Sequence, residues 1–167
     1  MKIHRYEKVW IAVSLALIVG FIATVAYGAV GAGVEMVADD GGTIDPNNIG
    51  ETPFADPGVR KVGSDRYEVY VVAQQFLFRP GTSKPIRVPA HSTVTFHVTS
   101  TDVVHGFQVV GTNLNLMVIP GQVTTATVHF DEPGTYGIVC NEYCGSGHHA
   151  MEGKIVVVPE DEFSPEG

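Results

Sequence analysis

Twelve consecutive residues, Cys140-Asn141-Glu142-Tyr143-Cys144-Gly145-Ser146-Gly147-His148-His149-Ala150-Met151, hold both cysteines of the 167-residue chain, two of its seven histidines and a methionine. Thiolate, imidazole and thioether donors together match soft or borderline metals such as copper and zinc rather than hard cations. A further imidazole stands upstream, His105 in Asp102-Val103-Val104-His105-Gly106-Phe107. His105, Cys144, His148 and Met151 alone make up the ligand set of a mononuclear blue-copper site. Cys140 is then one thiolate too many for a single copper, and its simplest use is a second metal. Two thiolates bridging two coppers, each capped by one histidine, form a compact binuclear electron-transfer centre.

Two plainer readings compete. A disulfide between Cys140 and Cys144 suits an extracytoplasmic domain if the loop brings the two Cα atoms within about 7 Å, but it leaves the His and Met spacing unexplained. A structural His2Cys2 zinc site has no use for a nearby thioether and usually shows paired Cys-x2-4-Cys and His-x3-5-His spacing.

Cys-x3-Cys-x3-His-x2-Met, preceded by Asp-Val-x-His-Gly-Phe, resembles the CuA-binding subunit II of haem-copper cytochrome c oxidases, most closely the B-type oxidases with a single membrane helix. The resemblance extends from the N-terminal apolar segment to about Pro159. It implies a binuclear copper centre in which Cys140 and Cys144 bridge, His105 and His148 cap, and Met151 and the backbone carbonyl of Glu142 are weak ligands. It also implies a role for the Glu142 carboxylate toward a magnesium ion at the boundary with subunit I. The partners implied are a haem-bearing subunit I and an electron donor, a cytochrome c or a small blue-copper protein. Electrons would pass to haem in subunit I, where oxygen is reduced to water and protons are pumped. This chain has no haem motif, so no oxygen chemistry is expected on it. A nitric oxide reductase bearing the same subunit, or a membrane-tethered copper carrier without a catalytic partner, is compatible with the same motif.

The elements that must position these residues are legible in the pattern of charge and hydropathy. Val9 to Val30 is free of charge; as a helix at 1.5 Å per residue it spans ~33 Å, enough for a bilayer core of about 30 Å. A cleaved signal peptide is the competing reading, but its apolar region is usually only ~7–15 residues long. Lys2, Arg5 and Lys8 precede this segment and no Lys or Arg follows until Arg60, so the positive-inside rule places the N-terminus in the cytoplasm and the ligand cluster outside. Beyond residue 30, seven Lys and Arg stand against seventeen Asp and Glu, a net charge of −10. That balance excludes nucleic acid and anionic lipid surfaces as expected partners and suits a basic electron donor.

Four segments are expected: residues 1–32 with the membrane helix, an extended Gly- and Pro-rich linker over 33–65, a copper domain over 66–159, and a frayed acidic tail over 160–167. Within 66–159, short β-branched and aromatic runs recur between turn signals, for example 67–73, 86–89, 93–100, 106–110, 115–119, 123–130, 135–139 and 153–158. In Thr93–Ser100, Val94, Phe96 and Val98 fall on one face and Thr95, His97 and Thr99 on the other. This pattern predicts an all-β antiparallel Greek-key barrel or sandwich with one N-terminal transmembrane helix, which is the cupredoxin architecture the resemblance implies.

Several residues around the ligands have secondary expectations. Each metal-binding imidazole should rest its second nitrogen on a carbonyl or carboxylate, and Asp102 is placed to serve His105. The Cys-x3-His register selects His148, leaving His149 as a supporting or surface group. His4, His91, His97 and His129 read as structural or exposed. Where many relatives expose a tryptophan near copper, this chain has Gln75-Phe76-Leu77-Phe78, and its only Trp is Trp10 at the membrane interface. Phe76 and Phe78 are therefore the candidates for an apolar patch for electron uptake, with core packing at period two as the alternative.

Overall fold

The structure, a computed structural model, describes residues 4–30 and 41–164. Residues 1–3, 31–40 and 165–167 lie outside the described residues, and with them Lys2, the start of the expected linker and the end of the acidic tail. The chain divides into two compact units, 1–34 and 35–167.

The first unit contains one helix, α1 (Arg5–Val30), 26 residues with a mean hydropathy of 2.5 over its most apolar window. None of its residues is buried, and it is apolar around its circumference, as a helix in lipid is. At 1.5 Å per residue it is about 39 Å long.

The second unit is a two-sheet β-structure. One sheet contains β1 (Val59–Lys61), β2 (Arg66–Gln74), β5 (Ser92–Ser100) and β8 (Thr124–Phe130) in the order β1-β2-β5-β8, and β3 (Leu77–Arg79) pairs with β2. The other contains β4 (Ile86–Pro89), β6 (His105–Val109), β7 (Asn115–Val118), β9 (Gly134–Val139) and β10 (Glu152–Val158) in the order β4-β10-β9-β6-β7. The alternation read in the sequence puts Val94, Phe96 and Val98 inside with Val69, Val71, Phe107, Leu116 and Ile155, all almost fully buried. Most pairings are antiparallel as expected, but β2–β5 and β4–β10 are parallel. After the β2–β3 pair the chain crosses to the second sheet as β4 before returning as β5, so β2 and β5 meet running in the same direction.

Two stretches differ from expectation. Residues 41–65, expected to be extended linker, are built onto the domain. Short 3₁₀ turns at Ile49–Glu51 and Pro53–Ala55 lead into β1, which extends the first sheet. Phe54 is 2% exposed in a small second core with Val72 and Val123 on the outer face of that sheet. The apolar side chains on this outer face could be buried only by a covering segment. The tail, expected to fray from residue 160, forms a turn at Glu160–Glu162 and sets Phe163 edge-on against Tyr67, ring centroids 5.2 Å apart.

Phe54→Ala should destabilise the domain by about 3 kcal/mol, the usual cost of deleting a buried aromatic ring. Urea denaturation of the copper-free protein followed by tyrosine fluorescence would read this, and a cost under about 0.5 kcal/mol would mean the segment is not part of the folded unit.

Candidate metal centre

The twelve-residue cluster is the loop between β9 and β10. The strand register pairs Glu152 with Val139, and a hydrogen bond from the Cys140 N–H to the Met151 carbonyl, 3.2 Å, closes the neck. The β6–β9 register pairs Gln108 with Val139, so the start of β6 runs past the end of β9 and brings His105 up beside Cys140.

All six expected donors converge. The Cys140 and Cys144 sulfurs stand 3.8 Å apart. A disulfide needs about 2.05 Å, and the pair exists as two free, buried thiols. His105 Nδ1 is 3.8 Å from Cys140 Sγ, and His148 Nδ1 is 3.7 Å from Cys144 Sγ. The Glu142 carbonyl oxygen lies 3.2 Å from Cys140 Sγ, and Met151 Sδ lies 3.6 Å from Cys144 Sγ. The ligand atoms of His105, Cys140 and Cys144 fall within 4.8 Å of one another. Two soft sulfurs flanked by two imidazoles, a thioether and one carbonyl form a donor set that fits copper and would waste two ligands on tetrahedral zinc.

Asp102 fixes one imidazole. His105 Nε2 is 2.9 Å from Asp102 Oδ1, and because a carboxylate has no proton to give, Nε2 carries the hydrogen and Nδ1 turns its lone pair toward the sulfurs. The Asp102 carboxylate also accepts from the backbone N–H of Gln75 at 2.7 Å and of Val103 at 2.7 Å. Burial opposes its charge, but these hydrogen bonds outweigh burial and hold the carboxyl below its ordinary pKa. In contrast, burial first and then the neighbouring Cys140 sulfur push the Cys144 thiol up to about 11.

The aromatic residues take different places. Phe78 is 1% exposed and packs edge-on against Phe107, so it is a core residue and cannot form a docking patch. The period-two alternation that puts Phe78 inside is that of β3 against β2. Phe76 is half-buried and lies against the ligand loop. A Cβ on Gly147 would come within 2.6 Å of its ring, and one on Gly145 would come within 3.1 Å. Gly145 also has φ +135, which side chains rarely adopt. His149 is exposed on the turn His148–Ala150.

Three participants were not singled out from the sequence. The Gln75 side-chain amide donates to the Cys144 carbonyl and pins the loop to the β2–β3 turn. Asn141 lies over Gly106, where any Cβ would collide with it, and donates to Asn115 Oδ1 at 2.9 Å. Tyr143 is 80% exposed, with its ring 5.8 Å from that of His148. Gln75 is 69 residues from Cys144, so no local pattern announces the contact.

A family model described as cytochrome c oxidase subunit II, periplasmic domain, matches residues 66–158. The chain belongs to the cytochrome c oxidase subunit II family. Cytochrome c oxidase subunit 2 of Thermus thermophilus is 46% identical over 165 residues, covering 93% of this chain and 96% of that one. A chain of a heme-copper terminal oxidase dimer superposes with a TM-score of 0.75 at 37% identity, covering 92% of this chain and 99% of that one. The periplasmic domain of subunit II from Bradyrhizobium japonicum shares the fold, with a TM-score of 0.54, 21% identity, and 57% and 86% coverage. The protein is thus a subunit of a haem-copper oxidase complex, an oxidoreductase, in a family known for copper. Each of these relatives is an oxidase subunit, which does not favour the nitric oxide reductase or free-carrier readings.

Two outcomes test this site. Asp102→Asn should weaken copper retention about 10- to 100-fold, because an uncharged amide, whose NH2 opposes one of the backbone N–H donors, orients the His105 ring less firmly than the carboxylate; competition with a chelator of known affinity measures the change. The Cys144 thiol must lose its proton to bind metal and is protonated at neutral pH, so copper affinity should fall at least about tenfold for each unit of acidification from pH 8 to 6. Affinity independent of pH over that range would mean Cys144 is not a ligand.

Proposed function

We propose that this chain is the electron-uptake subunit of its oxidase, holding a binuclear copper centre through Cys140, Cys144, His105, His148, Met151 and the Glu142 carbonyl. The observation that carries the reading is the convergence of the other four donors around the two buried sulfurs. Bound copper supplies one-electron redox chemistry.

The residues of this chain supply the rest. Fast electron transfer requires that the ligands move little between oxidation states, and here they are held before any metal is considered. The neck hydrogen bond, the Gln75 clamp, the Asp102–His105 pair and the packing of Phe76 on Gly145 and Gly147 each restrain the loop. His105, Cys144 and Met151 are 0%, 3% and 3% exposed, so little water has to reorganise when the charge changes. His148 is the half-exposed ligand, and its Nε2 has no partner among the described residues. Together with exposed Tyr143 it makes the open edge of the site, where a neighbouring protein can receive a hydrogen bond from a ligand ring.

On this reading the N-terminus is cytoplasmic and the copper domain extracytoplasmic. Electrons come from a cytochrome c or a small blue-copper protein and go to haem in subunit I, where oxygen becomes water with proton pumping. Phe76, in contact with the ligand loop, is the remaining candidate of this chain for the donor's contact. The Glu142 carboxylate is available to a magnesium ion at the boundary with subunit I, since the carbonyl alone faces Cys140.

Copper analysis and electron paramagnetic resonance on the full chain in detergent decide the matter. Two coppers per chain with a seven-line pattern, collapsing to one copper and four lines in Cys140→Ser, is the expected result. One copper with four lines in the unaltered chain, or zinc without signal, would overturn it.

A further inference from the structure

The outer face of the first sheet carries a second cluster, well separated in sequence from the metal loop and not used by it. Tyr70 on β2 is its centre. The Arg60 guanidinium lies 4.2 Å from the Tyr70 ring centroid, and the His97 ring stacks on Tyr70 at 4.7 Å with 14° between planes. Two groups that close to one ring must occupy its opposite faces. Phe54 meets the same ring edge-on at 5.3 Å, and the Tyr70 hydroxyl donates to Glu68 Oε2 at 2.9 Å.

This cluster fastens the segment 41–58, which follows the membrane helix in sequence. Phe54 is its buried anchor. Arg60 reaches back from β1 to donate to the Pro53 carbonyl at 2.6 Å and the Asp56 carbonyl at 3.0 Å. Gly58 and Tyr70 exchange backbone hydrogen bonds at 3.0 and 2.9 Å, and the Ile44 N–H donates to the Gly121 carbonyl at 3.1 Å.

His97 is the weak point of the arrangement. Its Nε2 is shielded from solvent and has no hydrogen-bond partner among the described residues; Glu68 Oε2 is 3.9 Å away. His97 lines a cavity of about 340 Å³ together with Thr43, Thr52 and Phe54 of the segment itself, through which water and a proton can reach the ring. The charged groups facing it are Glu68 on β2, which favours the imidazolium, and Arg60 on β1, which opposes it. The residue opposite on β8 is Thr125, and the described lining of the segment adds no charge.

We propose that residues 41–58 are a strap latched over the copper domain by the Arg60–Tyr70–His97 stack, and that protonation of His97 by an acidic exterior releases it. A new positive charge here would be buried beside the Arg60 guanidinium, and their repulsion would loosen the stack that Phe54 packs against. Burial, the larger influence, together with Arg60, outweighs Glu68 and lowers the His97 pKa. A histidine whose folded pKa lies below its unfolded value near 6.5 leaves docking fully stable above about pH 6.5 and weakens it as the pH falls below that. The inference takes from the proposed function only that this domain is extracytoplasmic.

Hydrogen exchange on the copper-loaded full chain in detergent tests it, with protection factors at the Ile44 and Gly58 amides compared at pH 7.5 and 5.0. The copper absorption spectrum reports that the metal loop is intact. Protection at both amides should fall at least tenfold at pH 5.0 while the β9 and β10 amides hold. His97→Phe keeps a flat ring on Tyr70 but cannot titrate, and should stay protected at both pH values. Glu68→Gln removes the carboxylate that favours the imidazolium in the latched state, so acid should release the strap more completely and at a higher pH. Equal protection of the unaltered chain at both pH values, or an acid loss in His97→Phe matching the unaltered chain, would overturn the latch. If His97→Phe does not fold, the His97 ring resonances of the unaltered chain decide: a ring still neutral where the strap opens overturns the proposal, and a ring that charges with the opening supports it.

Discussion

Two buried sulfur atoms held 3.8 Å apart, close but unbonded, are the constraint on which the rest of this domain turns. Left to a flexible loop, two thiols at this separation would drift apart or oxidise to a disulfide, and neither outcome keeps a ready set of donors. The loop is held on several sides instead. The β9–β10 register closes its neck, Gln75 ties down the Cys144 carbonyl, and the Phe76 ring occupies the space that side chains on Gly145 and Gly147 would need. These restraints come from the β9–β10 pair and from the β2–β3 turn of the other sheet, so the spacing of the sulfurs reflects both sheets rather than the loop alone.

The two histidines are treated unequally, and the inequality is functional. His105 is fully buried, and its second nitrogen is committed to Asp102, whose carboxylate is itself fixed by two backbone N–H groups. That ring can neither rotate nor change tautomer without breaking a charge-assisted hydrogen bond. His148 lies on a short turn at the surface, and its second nitrogen is uncommitted among the described residues. On the proposed reading, one sealed and one open histidine give the site a defined side from which another protein can couple to it, a geometric requirement for directional electron flow.

The outer face of the first sheet follows another logic. A small domain exposes one face of each sheet unless something covers it, and here residues 41–58 do so with Phe54 as anchor. The covering is built around stacked rings and a guanidinium rather than aliphatic packing alone, which makes it sensitive to the charge of one imidazole. The same chain thus contains a rigid polar network around its metal loop and a more conditional one around its strap.

The sequence alone determined the cluster of soft donors, the apolar helix and the β class, because each rests on a local property: donor type at short spacing, an uninterrupted apolar run, and period-two alternation. The match of Cys-x3-Cys-x3-His-x2-Met needed no tertiary information, and Asp102 could be paired with His105 because only three residues separate them. What required the tertiary structure were relations between distant residues. Phe76 and Phe78 look alike in sequence, yet one rests on the metal loop and the other is sealed against Phe107, because Phe78 lies in β3 on its core face whereas Phe76 precedes the strand, in the β2–β3 turn, where period-two alternation does not hold. The segment 41–65 reads as linker because Gly and Pro dominate it, and Phe54 acquires its place only when the outer face formed by β2 and its neighbours exists to receive it. Gln75, Asn141 and the Tyr70 stack were invisible for the same reason: a polar or aromatic side chain carries no local sign of a partner many residues away, and only chain folding brings that partner within hydrogen-bonding or van der Waals range.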